Sequence, residues 1–352
     1  MERKSFAGAH TAVVTPFLPN GLVDWAGYEK NIAFQVNQGI TGVLPAGTTG
    51  ESPTLSWEEH DRVIEDAISV SGARALVIAG TGSNSTAEAL RGSRHADEAG
   101  ADALLLVDCY YNGPSSLELR REYHGAVAAA CPTCTVIPYI IPGRSGTAMS
   151  PEDLAILAAE HPNVSVVKEA TGDVERMAAT RALVGDEFDI LSGDDGVTLQ
   201  IMHDPRIRAQ GVISVVTNVV PGAVAQMVKA ALAGNADRAR ELHGALQPLF
   251  DIVTVIAEDE RILPDGSAVT VRDKFRNPLA IKTLMNGLGM PAGPPRAPLG
   301  KMTRKGLAVV RDAARVIWEN HPWMLEPVAE AYNVDVSRRL EDDACWEGLT
   351  YD

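Results

Sequence analysis

Short runs of aliphatic and β-branched residues recur along the chain: Ala12 to Val14, Gly42 to Pro45, Ala75 to Ala79, Ala103 to Val107, Val136 to Ile140, Val164 to Lys168, Phe188 to Leu191 and Gly211 to Val216. They are apolar throughout rather than alternating, which is what a strand buried on both faces requires. The stretches between them repeat apolar residues at helical period. Three of them open with Ser followed three residues on by an acid, Ser56-Trp57-Glu58-Glu59, Ser85-Thr86-Ala87-Glu88 and Ser150-Pro151-Glu152-Asp153, the signature of a capped helix start. Strands alternating with helices about every 25 to 35 residues predict an α/β chain folded as a (β/α)8 TIM barrel over residues 1–225. A doubly wound sheet competes, but Gly80-Thr81-Gly82 runs into Ser83-Asn84-Ser85 and leaves G-x-G-x-x-G incomplete. Residues 226–303 read as a C-terminal helical part with a hairpin-like insertion near 258–274, turning at Asp265-Gly266. Residues 304–352 read as an extension, helical over Lys305 to Asn320 and acidic beyond, with Trp318 and Trp323 as expected docking anchors.

Composition narrows what such a barrel does. At 352 residues the chain can bury one large core, and 45% hydrophobic with 22% charged residues is globular. A formal net charge of −15 argues against nucleic-acid and anionic-membrane partners, both of which need a basic surface. Met1 to Phe6 carries no apolar leader core, and no run approaches the roughly 18 apolar residues of a membrane span, so a cytoplasmic protein is expected. Cys109, Cys131, Cys134 and Cys345 are too few for a disulfide scaffold. Cys131-Pro132-Thr133-Cys134 has redox spacing, yet it lies between an Ala-rich helix and a strand instead of opening a helix. The eight His form no ligand cluster, and no metal site is expected.

In a barrel the chemistry sits where strands end. Val164 to Lys168 ends in a lysine followed by the polar Glu169-Ala170-Thr171-Gly172-Asp173. Such an amine either reaches solvent or is desolvated, neutral and nucleophilic toward a ketone or aldehyde. Gly47-Thr48-Thr49-Gly50-Glu51 ends the second run, an ordinary turn or a carboxylate cradle of hydroxyls and free N–H groups. Tyr110-Tyr111 lies on the fourth loop, where large side chains have no core to fill, and one of them suits a neighbouring subunit. Tyr139 ends the fifth run as a proton donor and acceptor. Arg144 on the following loop is a fixed cation suited to bidentate carboxylate recognition or to a surface ion pair.

Together, Thr15-Pro16, Gly47 to Glu51, Tyr110-Tyr111-Asn112, Tyr139 with Pro142-Gly143-Arg144-Ser145-Gly146, Lys168 to Asp173, Ser192-Gly193-Asp194-Asp195 and Gly211-Val212-Ile213-Ser214 resemble the dihydrodipicolinate synthase / N-acetylneuraminate lyase family of pyruvate-dependent class I aldolases. The resemblance implies that Lys168 forms the Schiff base with pyruvate, with no other cofactor. It implies that Thr49 holds the pyruvate carboxylate, that Gly193 and Ile213 touch the adduct through backbone atoms, and that Thr48, Tyr139 and Tyr111 relay protons. Tyr111 would cross a subunit interface, implying a homo-oligomer, a dimer or a dimer-based tetramer. Arg144 and Thr48 resemble the synthase branch, whose acceptor is L-aspartate-4-semialdehyde on the lysine and diaminopimelate route. Ser52, Trp57, His60, Asn84, Glu88 and Tyr110 fall where lysine-inhibited members bind feedback L-lysine; Glu88 also reads as a capping partner of Ser85. Ile140, where synthases usually carry Asn, together with Gly113, the 261–270 insertion and the tail, departs from the pattern. These departures leave open 2-oxo-3-deoxy sugar acids or other aldehydes as substrates of a related aldolase or dehydratase. A third reading is a non-catalytic barrel that binds an oxo-acid.

Overall fold

Each apolar run forms or overlaps a strand in the computed structural model, which describes residues 4–351. They are β1 (Gly8–Ala12), β2 (Gly42–Leu44), β3 (Leu76–Gly80), β4 (Ala103–Val107), β5 (Thr135–Ile140), β6 (Val166–Glu169), β7 (Asp189–Ser192) and β8 (Gly211–Ser214). All pair in parallel with their sequence neighbours, and β8 returns to β1, closing a (β/α)8 barrel. At that seam Gly8 pairs with Gly211. A Cβ on Gly211 would stand 1.8 Å from the Gly8 carbonyl oxygen, so the closure admits only glycine.

The first strand differs from the run that announced it. Ala12-Val13-Val14 reads as a strand, but β1 starts at Gly8 and stops at Ala12. Val13 N–H still reaches the Leu44 carbonyl at 3.2 Å, whereas Val14 N–H donates to Asn218 Oδ1 at 3.1 Å, and this side-chain bond takes the backbone off the ladder.

Two apolar layers result. Phe6, Leu44, Ile78, Leu105, Ile137, Val166, Leu191 and Ile213 fill the lumen beneath Tyr139, and a larger core lies between strands and helices. The lumen is therefore packed, and Leu44 and Leu105 of this layer also line the cavity that opens at the C-terminal rim. Ile140 faces the outer core and is fully buried, so that departure does not touch the rim.

The boundary drawn at residue 225 falls inside the helix Pro221–Leu232, which packs against β1. After the helix Ala236–Asp251, the chain makes a long antiparallel hairpin of β9 (Thr254–Ile262) and β10 (Ala268–Arg276). It then enters the helices Leu279–Leu288 and Arg304–Asn320. The tail is more structured than an acidic trailer, with further helical turns at Glu326–Tyr332 and Val336–Glu341. Its anchor is also different. Trp318 is only partly buried and Trp323 is 36% exposed, whereas Trp346 is 4% exposed, lies over Gly287 and donates its indole N–H to the Arg339 carbonyl at 2.8 Å. The absence of a side chain at Gly287 leaves room for the indole, and neither expected anchor has such a slot. Among the described residues no helix is long and apolar enough to cross a membrane.

Candidate active site

A cavity of about 440 Å³ opens at the C-terminal rim, lined by Thr48, Thr49, Tyr139, Arg144, Lys168, Gly193, Asp194 and Asn277 among others. Lys168, the third residue of β6, stands in register with Tyr139 of β5, and its Nζ lies 4.2 Å from the centre of the tyrosine ring. Lys168 is 6% exposed. Burial pulls its pKa down to about 7, against the opposing pull of the Asp195 carboxylate, while Arg144 adds to the fall. An amine half neutral at physiological pH is a nucleophile. Burial likewise pushes the Tyr139 phenol up to about 12, with Thr48 hydrogen-bonded to it, so it stays protonated as a donor.

Gly193 belongs beside Lys168 for steric reasons: a Cβ there would stand 3.0 Å from Lys168 Cε and 2.7 Å from Ala170 Cβ. Its N–H is already committed to the Glu169 carbonyl at 2.6 Å, so it cannot also donate to a ligand. Ile213 lies in the lumen layer and does not line the cavity; Val215 does.

The Thr48-Thr49 loop is held from both ends. Ala46 and Glu51 flank it at φ 52° and 55°, a left-handed conformation that costs non-glycine residues energy and persists only where the surroundings enforce it. The enforcement at Glu51 is a buried ion pair. Its carboxylate takes Lys282 Nζ at 2.6 Å and the Arg296 N–H at 2.9 Å, and Lys282 also donates to the Thr15 carbonyl at 3.0 Å. Asn277 Nδ2 donates to Thr49 Oγ1 at 2.9 Å, which leaves the Thr49 hydroxyl proton free to point at a ligand.

Asn277, Asp195 and Lys282 carry this organisation and were not among the residues expected from the sequence. Asp195 is buried, with one oxygen accepting the Val215 and Val216 N–H groups and the other unpartnered. Burial raises its pKa to about 6. The repeated acids of Ser192-Gly193-Asp194-Asp195 gave a sign of it. Asn277 and Lys282 gave none, because they reach their partners across more than 200 residues of chain.

Tyr111 does not join the cavity. It is 90% exposed at φ 79°, turned out from its own barrel. A second cavity of about 400 Å³ adjoins the first, sharing Thr48, Ser52 and Arg144, and is lined by Trp57, His60, Glu88 and Tyr110. Asn84 stays outside it, exposed, its carbonyl accepting the Cys109 thiol at 3.1 Å. The capping box expected of Glu88 does not form. The Ser83 hydroxyl donates to Glu88 Oε2 at 2.5 Å and takes the Ser85 N–H at 3.3 Å, which draws the carboxylate toward this cavity and away from the helix start. Ser56 and Glu59, by contrast, make the full box. Cys131 and Cys134 are free thiols raised to about 11 and 12 by burial, which makes them poor nucleophiles. Among the described residues no three acids, His or Cys are grouped to hold a metal.

Comparison with known proteins agrees with this geometry. The model of the dihydrodipicolinate synthetase family matches residues 5–316. The chain is 38% identical over 310 residues to the 4-hydroxy-tetrahydrodipicolinate synthase of Methanococcus vannielii, covering 88% of this chain and 98% of that one. The crystal structure of dihydrodipicolinate synthase from Aquifex aeolicus superposes with a TM-score of 0.79 at 36% identity, over 91% of this chain and 100% of that one. That of the Cyanidioschyzon merolae enzyme, solved with lysine bound, gives 0.79 at 32% identity over 88% and 98%. With a buried lysine amine beside a tyrosine at the mouth of a closed barrel, and relatives of this kind along nearly its whole length, the chain belongs to the dihydrodipicolinate synthetase family.

Proposed function

We propose that the protein condenses pyruvate with L-aspartate-4-semialdehyde through a Schiff base on Lys168, giving 4-hydroxy-tetrahydrodipicolinate for lysine and diaminopimelate synthesis. The observation that carries this reading is the Lys168 amine, desolvated to a pKa of about 7 and set against Tyr139 in a cavity also lined by Thr48 and Thr49. Pyruvate enters with its carboxylate on the Thr49 hydroxyl and the loop N–H groups. Lys168 Nζ attacks the C2 ketone, and the carbinolamine oxygen leaves as water after taking a proton from the Tyr139–Thr48 chain. Loss of a C3 proton gives an enamine, whose C3 forms the new bond to the aldehyde carbon. The acceptor's own amino group then displaces Lys168 and closes the ring. The chemistry uses the lysine alone and no added cofactor. Borohydride in the presence of pyruvate should fix an irreversible mass gain on Lys168. No such gain would refute the Schiff base and favour an oxo-acid-binding barrel without catalysis.

Arg144 at the rim is assigned to the acceptor carboxylate. Tyr111, exposed on a strained backbone, is assigned to the site of an adjoining subunit in a homo-oligomer, completing the relay there. Mixed oligomers of Tyr111→Phe and Lys168→Ala should then regain activity that neither has alone; no regain in a mixed oligomer counts against the crossing. The second cavity, with the Glu88 carboxylate facing it, is assigned to L-lysine as an effector. Millimolar L-lysine should slow the wild type and not Glu88→Ala, and an insensitive wild type would sink the assignment.

A further inference from the structure

The hairpin brings cations to the cavity that the barrel does not supply. In its ladder Thr254 pairs with Arg276 and Ile256 with Lys274, and side-by-side partners share a face. Thr254, Lys274 and Arg276 all line the cavity mouth. The opposite face, with Val255 and Phe275, packs toward the helix Arg304–Asn320, where Phe275 closes on Gly306. The sheet is therefore backed on one side and turned to the cavity on the other at its base.

Arg276 and Arg144 are clasped reciprocally. Arg276 Nη1 donates to the carbonyl of Gly143, the neighbour of Arg144, at 2.8 Å. Arg144 Nη2 donates to the carbonyl of Asn277, the neighbour of Arg276, at 2.9 Å. The two guanidiniums are close enough for one charge to act on the other. Many arginines of this acidic chain meet carboxylates, as Arg296 does Glu59 and Arg120 does Asp153 and Glu160, though some, such as Arg339, meet only carbonyls. Among the described residues, neither Arg144 nor Arg276 has a carboxylate partner, and both face the cavity. The acids lining the same cavity are engaged locally, Asp194 by Gly196 N–H and Asp251 by Gln247 Nε2. Two like charges fixed side by side and facing a cavity are stabilised by an anion that bridges them, each guanidinium taking one oxygen.

We infer that Arg276 is the second arm of a two-arginine clamp for the acceptor's carboxylate, with Lys274 beside it, so that the hairpin selects aldehydes carrying an anionic group. This rests on the aldol reading above. Arg276→Gln keeps a donor for the Gly143 carbonyl while removing the charge; Arg276→Ala removes both. The test compares KM for pyruvate, KM for L-aspartate-4-semialdehyde, turnover of the uncharged propanal, and borohydride trapping of pyruvate on Lys168. Both variants should raise the semialdehyde KM by about 10- to 100-fold, the value of a charged hydrogen bond. Preference over propanal should fall with it, while pyruvate KM and trapping stay within about twofold of wild type. Arg276→Lys should recover part of the loss. A semialdehyde KM unchanged in Arg276→Gln overturns the clamp, as does an equal rise in pyruvate KM, which would mark a general field. A wild type that traps pyruvate but does not prefer the charged aldehyde overturns it too and leaves the Schiff base standing. Only a failure to trap pyruvate removes the aldol reading itself.

Discussion

The ionisation of Lys168 offers the sharpest test of the site. An ordinary lysine with a pKa of 10.5 has about one amine in 3,000 neutral at pH 7, whereas one lowered to about 7 has about half. The barrel thus gains roughly three decades in reactive amine, at the cost of burying a group that water would rather hold charged. The rate of pyruvate trapping by borohydride, followed by mass spectrometry across pH 5 to 10, should rise tenfold per pH unit on its acid limb and level off near pH 7. Asp195 supplies the check on cause. Its carboxylate pulls the Lys168 pKa upward, so Asp195→Asn, which keeps an acceptor for the Val215 and Val216 N–H groups, should move the limb to lower pH. Stability should follow the same sign. Between pH 7 and 10.5 the unfolded chain binds the proton that the folded chain has released, so the lysine's contribution to stability grows with pH across that window and is smallest below it. Lys168→Met should accordingly be inactive yet more stable at neutral pH by roughly 0.5–2 kcal/mol. An acid limb centred above about pH 9, or one that moves upward in Asp195→Asn, would refute desolvation as the source of the nucleophile.

Three further outcomes follow from the same geometry. Tyr139→Phe keeps the ring under Lys168 but removes the phenol, and steady-state kinetics should show kcat down by about 100- to 1,000-fold with the far-ultraviolet circular dichroism unchanged. Lys282→Met leaves the Glu51 carboxylate buried without its ion partner and should cost about 3–5 kcal/mol in urea unfolding, most of it recovered by adding Glu51→Gln; a midpoint unchanged in the single variant would contradict this account of the loop. Trp346→Ala should cost about 3–5 kcal/mol and open the tail to proteolysis, measured by melting and limited digestion.

The parts of the site that the sequence announced were those a strand delivers locally. Lys168 and Tyr139 lie near the ends of the buried strands β6 and β5, and the Thr48-Thr49 pair lies a few residues past β2, so the strand ends and the barrel rule together place them at one rim. What could not be read was whatever a distant segment adds. Asn277 orients Thr49 from 228 residues away, and Lys282 holds Glu51 from 231 away; neither stands in a local pattern that marks it. Two local rules also gave way to competing hydrogen bonds, one local and one from a distant segment. The Ser85 and Glu88 box lost to the Ser83 hydroxyl, and the first strand lost its last residues to Asn218. The tail's anchor depended on an empty slot over Gly287, which no property of Trp346 itself reveals.

The seam between Gly8 and Gly211 has a bearing on how the molecule is made. During synthesis the first strand emerges long before its second neighbour exists, and until β8 arrives the nascent sheet has two open edges. The wait extends further, since the Tyr332 hydroxyl donates to Asn31 Oδ1 at 2.8 Å and so ties the first helix, Trp25–Asn37, to a residue some 300 positions later. Contacts of such separation form slowly. The growing chain therefore passes much of its synthesis with unpaired strand edges, the condition in which a sheet is most prone to join other chains.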